Sequence, residues 1–106
     1  MDITAHPQLI RQMMIKDLSL DDEEASGLQI DDDAKLIENF RRLISYLLDH
    51  DLNRLINACY RMDVPQEKFQ FALNSPDPEQ VPAAVADLIL KRELEKIKWR
   101  EKYKNI

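Results

Sequence analysis

The chain has 106 residues, of which 44% are hydrophobic and 33% charged, with a net charge of −5, one Cys and one Gly. That length suits one domain built on a single core. A lone Gly counts against an all-β fold and against a glycine-rich phosphate loop, and a lone Cys leaves no internal disulfide or cysteine-rich metal pattern.

The opening MDITAHPQL carries an acid where an export signal has bases, and no long apolar run follows. Charge breaks every apolar cluster, so no stretch approaches the roughly 20 residues of a membrane span. The expectation is a soluble, cytoplasmic protein without a membrane partner. The first helix is predicted over 7–16, starting at Pro7 and placing Leu9, Ile10, Met13 and Met14 on one face.

Residues 17–33, DLSLDDEEASGLQIDDD, hold the only Gly and show weak periodicity. They read as an acidic, mobile connection that Leu18, Leu20, Leu28 and Ile30 pin to the body. Residues 1–33 as a whole set nine acids against Arg11 and Lys16, whereas residues 78–106 set seven bases against five acids. Acids at helix starts and bases at helix ends account for that asymmetry.

The clearest helix is predicted over 33–48. Leu36, Ile37, Phe40, Leu43, Ile44, Leu47 and Leu48 form one broad apolar stripe, and Asp31 to Asp33 supply the cap. A third helix follows over 51–62, with Leu52, Leu55, Ile56 and Cys59 at helical spacing. A short fourth, over 65–74, carries Phe69, Ala72 and Leu73. After a turn at 77–81, where Asp77 caps and Pro78 follows, a long C-terminal helix is predicted over 82–104.

That last helix has two apolar stripes. Val81, Val85, Leu88, Trp99 and Tyr103 share one side, and Ala83, Ala86, Leu90, Leu94 and Ile97 share the other. A surface helix of a monomer needs one. Either the helix runs through the middle of the bundle or its second face meets another chain. The reading adopted is a homodimer formed through Leu90, Leu94 and Ile97.

Reactive-looking groups are few. Asp49, His50 and Asp51 stand side by side, but neighbours on a helix point about 100° apart, and ligands there are expected three or four positions apart. The triplet reads as a helix-to-helix turn with Asp51 as N-cap. Cys59 lies on an apolar face and reads as a small buried hydrophobe. The acidic runs fail the calcium-loop pattern: with Asp17 first, Asp22 stands where Gly is required. No metal, cofactor or catalytic residue is assigned.

Residues 51–74 have the hydrophobic spacing of a DNA-binding helix-turn-helix, with a turn at Asp63-Val64 and Pro65 opening the second helix. Asp63 occupies the turn position that prefers Gly, and the segment holds three acids and three bases. Nucleic acid is therefore disfavoured as a partner. The basic tail KRELEKIKWREKYK, interleaved with Glu93, Glu95 and Glu101, reads as a solvated helix end.

The runs HDLNRLINACYRMDVPQEKFQFAL and AAVADLILKRELEKIK, within about residues 46–98, resemble a family of small bacterial all-helical proteins of unknown function. The resemblance rests on Asp51, Arg54-Leu55, Asn57, Tyr60-Arg61, Asp63-Val64 and Glu67-Lys68, with Ala86-Asp87-Leu88-Ile89. It implies no activity, and Pro65 departs from the Ser-like cap expected there. It directs attention to Arg54, Asn57, Tyr60, Arg61 and Asp63, either as staples between the third and fourth helices or as a polar binding surface. Stapling is the role expected.

The sequence thus predicts a single all-α domain, a compact bundle of about five helices with a long C-terminal helix. Its expected role is that of a self-associating, non-catalytic interaction or regulatory module with a further protein partner possible. The alternatives are a helix-turn-helix nucleic-acid binder over 51–74 and a small helical enzyme or enzyme subunit.

Overall fold

The computed structural model describes residues 7–28 and 32–104. Six α-helices and one 3-10 turn run through them: α1 (Pro7–Asp17), α2 (Asp22–Ser26), α3 (Asp33–His50), α4 (Leu52–Arg61), α5 (Gln66–Leu73), the 3-10 turn (Pro78–Gln80) and α6 (Val81–Lys104). The all-α class and the long last helix are as predicted. Ile30, Asp31 and His6 lie outside the described residues.

Local chemistry sets the joints. Asp32 caps α3 by accepting from the Lys35 N–H at 2.7 Å. Asp51 ends α3 and opens α4, accepting from the Arg54 N–H at 3.3 Å. Asp77 accepts from the Glu79 N–H, and the 3-10 turn beginning at Pro78 leads directly into α6. Pro82 falls in the first turn of α6, where its missing N–H costs nothing.

Two helices end on left-handed residues that are not Gly. Ser19 (φ 53°) follows α1, and Asp63 (φ 59°) follows α4. In each case the next N–H reaches back one helical turn: Leu20 to the Ile15 carbonyl at 2.9 Å and Val64 to the Cys59 carbonyl at 3.0 Å. That is the helix-ending arrangement that usually recruits Gly. The backbone strain is borne for a fixed chain direction out of each helix.

Within the described part of the acidic connection lies a short helix that periodicity did not predict. Asp21 accepts from the Glu24 N–H at 2.7 Å while the Glu24 carboxylate accepts from the Asp21 N–H at 3.0 Å, a reciprocal cap that starts α2. Leu18 and Leu28 are buried and Leu20 packs on the core, as the pinning reading expects. From α1, Arg11 donates to the carbonyls of Leu28 (2.7 Å) and Ala25 (2.8 Å).

Packing centres on α6, which lies against α1, α3 and α5, while α3 also carries α4. Leu36, Phe40, Ile44 and Leu47 of α3 are completely buried, as are Val85, Ala86, Ile89 and Leu90 of α6. A 24-residue helix is about 36 Å long at 1.5 Å per residue and accounts for most of the 42 Å long axis. Beyond Ile97 its residues are exposed up to Tyr103.

The predicted association face is corrected here. Leu90 and Ile97 are buried by the chain's own helices and Leu94 is half-buried, so this stripe faces inward. Helical periodicity reveals two apolar faces but not which neighbours cover them. Contact with three helices makes α6 the central strut.

Candidate functional site

On α4, the residues Arg54, Asn57, Tyr60 and Arg61 fall on one face. The structure gathers them with Ser19 and Asn53 around an open hollow of about 620 Å³. Arg54 is engaged through both terminal nitrogens, while its buried Nε donates no hydrogen bond. Its Nη1 donates to Glu24 Oε1 at 2.9 Å and to the Ser19 carbonyl at 3.2 Å, and Nη2 donates to Glu24 Oε2 at 2.6 Å. Asp51 adds an ion pair 3.2 Å from Nε. The hydrogen bond from Arg54 holds the Glu24 carboxyl below the usual range, against the opposing effect of burial.

Arg61 donates to the Asp17 carbonyl at 3.1 Å. The two arginines therefore fasten the corner between α1 and α2 onto α4. These bonds join elements other than those expected: α4 to the 17–24 corner, not α4 to α5. Asp63 leaves the group. It points to solvent on the far side of its turn, 3.9 Å from Arg92 Nη2, while Arg92 Nε donates to the Met62 carbonyl at 2.8 Å.

Replacing Arg54 strands a mostly buried carboxylate, since the Glu24 side chain is 16% exposed. Arg54→Ala is expected to cost about 1–3 kcal/mol and to speed hydrogen exchange in α2 before α3. Unchanged protection of the α2 amides would contradict this.

The Asp49-His50-Asp51 triplet does sit at the turn between two helices, with Asp51 capping and the His50 ring 4.7 Å from that of Tyr46. Among the described residues, no three His, Cys, Asp or Glu side chains are grouped to hold a metal ion. Burial pushes the Cys59 thiol up to about 12, so it stays protonated and unreactive at neutral pH.

Two features of the site escaped the sequence reading. The first is a groove of about 820 Å³ between α5 and α6. Phe71 stands on its edge, 84% exposed. Ala72 on α5 and Ala84 and Leu88 on α6 form its apolar wall, with Glu67, Lys68, Asp87 and Lys91 around the rim. Arg41 holds Asp87 through both carboxylate oxygens at 3.0 Å. Phe71 lies about 200° around α5 from buried Phe69, so an off-stripe aromatic was a readable signal.

The second is Glu93, the one buried charged residue among those described. It stands on the inward stripe, three residues after Leu90 and four before Ile97. Neither carboxyl oxygen meets a hydrogen-bond partner among the described residues. Burial is the main cause of a pKa raised to about 8. The adjacent Asp17 carboxylate, which can accept a hydrogen bond only from the protonated form, adds to it, while Lys96 and Arg100 oppose it. Lys96 Nζ also lies 3.6 Å from Asp17 Oδ2. A carboxylate on an apolar stripe was legible, but its acidic neighbour on α1 was not.

The two helices read as a possible helix-turn-helix lean on different supports, α4 on α3 and α5 on α6. The exposed surface of α5 carries Glu67, Lys68, Gln70 and Phe71, with no excess of positive charge. No helix among the described residues is long and apolar enough to cross a membrane. No family model, no curated protein and no solved structure matches the chain.

Proposed function

We propose that this chain is a non-catalytic interaction module of the bacterial cytoplasm, kin to the small helical proteins it resembles. Its working surface is the α5–α6 groove, which receives an apolar helical segment of another polypeptide. The observation that carries this reading is Phe71, a large aromatic held almost wholly in solvent at the lip of an apolar channel. Exposed apolar surface rimmed by charge is the usual mark of a protein-docking face. A buried, protonated Cys59 suits a reducing compartment and offers no nucleophile. An exposed α5 surface with one acid and one base favours protein over phosphate backbone.

The test is a photo-crosslinking residue placed at Phe71 in the full chain, with the same probe at Tyr60 as the control, since Tyr60 is also 85% exposed. Illumination in living cells is expected to give an adduct of defined mass from position 71 and none from position 60. The adduct should map to an apolar helical segment. A smear, no adduct, or equal labelling at both positions would remove the reading.

A further inference from the structure

The groove carries both halves of a fit. Phe71 is a projecting ring, and the channel beside it is lined by small or half-buried apolar side chains, Ala72, Ala84 and Leu88. Knob and hole on the same patch are what a two-fold contact between identical chains requires, because each surface must complement itself. The rim follows the same rule. Glu67 and Asp87 stand among Lys68 and Lys91, with Asp87 already paired to Arg41, so the patch mixes both signs and does not carry the acidic excess of the whole chain, −5. A two-fold axis lets the bases of one copy face the acids of the other.

Resting on the docking role given to this groove, we propose that its occupant is a second copy of the chain, with Phe71 of each protomer seated between α5 and α6 of its partner. The paired hairpins then form a four-helix layer, a familiar way for helices to bury a shared face. The α5 helix has eight residues and spans only about 12 Å. A contact centred on so short a helix is expected to bury less than the roughly 800 Å² per partner of a standard stable interface. A weak, concentration-dependent dimer follows, with half-association at tens to hundreds of micromolar, roughly −5 to −6 kcal/mol.

Sedimentation of the full chain between about 10 µM and 1 mM reads this directly. The mass should climb from 12.5 kDa towards twice that value. Phe71→Asp should hold it at the monomer with an unchanged circular dichroism spectrum and melting temperature, since an exposed ring contributes little to the core. Trp99→Asp, which alters a separate exposed aromatic surface at the end of α6, should leave dimerisation intact. A monomer at every concentration overturns the proposal, as does a dimer that survives Phe71→Asp or is lost with Trp99→Asp. If the chain is monomeric yet position 71 crosslinks to a different polypeptide, the groove remains a docking site and only the identity of its occupant is wrong.

Discussion

Glu93→Gln is expected to flatten the dependence of stability on pH between about 5 and 9. In the unfolded chain this carboxyl titrates near its ordinary value of 4.5, and in the folded chain its pKa is about 8. The folded state binds this proton more tightly than the unfolded state. Glu93 therefore contributes its stability in full below about pH 4.5 and loses it as pH rises through about 8. Each tenfold difference in proton affinity between the two states is worth about 1.4 kcal/mol, so the loss is of the order of 2–5 kcal/mol. The amide variant cannot ionise and keeps a donor to offer Asp17. Urea unfolding of both proteins at several pH values above 5 gives the comparison, a range in which Glu24 stays ionised and does not contribute. Parallel curves for the two proteins would show that Glu93 is not the titrating group.

Phe40→Ala should be the most damaging single change in the core, costing about 3–5 kcal/mol. Phe40 is fully buried at the middle of α3, the helix that joins α4 to the central strut α6. Removing the ring leaves a cavity that helices on both sides cannot collapse into without shifting. Against a total stability of about 5–15 kcal/mol typical of such domains, the variant should unfold at markedly lower denaturant concentration. Chemical denaturation decides it, and a loss under about 1 kcal/mol would mean that α3 is not the centre of the core.

Those two residues show what sequence alone could and could not convey. Phe40 was visible because α3 repeats its apolar residues at helical intervals, and a stripe seven members long has one sensible destination. The caps at Asp51 and Asp77 were visible for a similar reason, since capping depends on residues only two or three positions away. The reciprocal cap of Asp21 and Glu24 is just as local. It was overlooked because five residues give too short a stretch for periodicity to register.

Other features depend on distance along the chain. Arg54 meets Glu24, and Glu93 meets Asp17, across long separations in sequence that no pattern on one helix encodes. The same lack misdirected the reading of α6. Its two stripes were legible, but coverage of Leu90 and Ile97 is decided by how its three neighbours crowd around it. The open stretch is instead the Ala84, Leu88 and Lys91 side next to Phe71.

The short helix α2 buries none of its own residues. Guanidinium groups reaching in from α1 and α4 both hold it. The molecule is therefore fastened by two different means: an oily interior, interrupted by the single carboxyl of Glu93 among the described residues, and a charged seam along one flank. Acid strong enough to neutralise Glu24 would release the α4 side of that seam while the Arg11 bonds and the oily part stayed closed, giving the protein a detachable edge rather than a uniform shell.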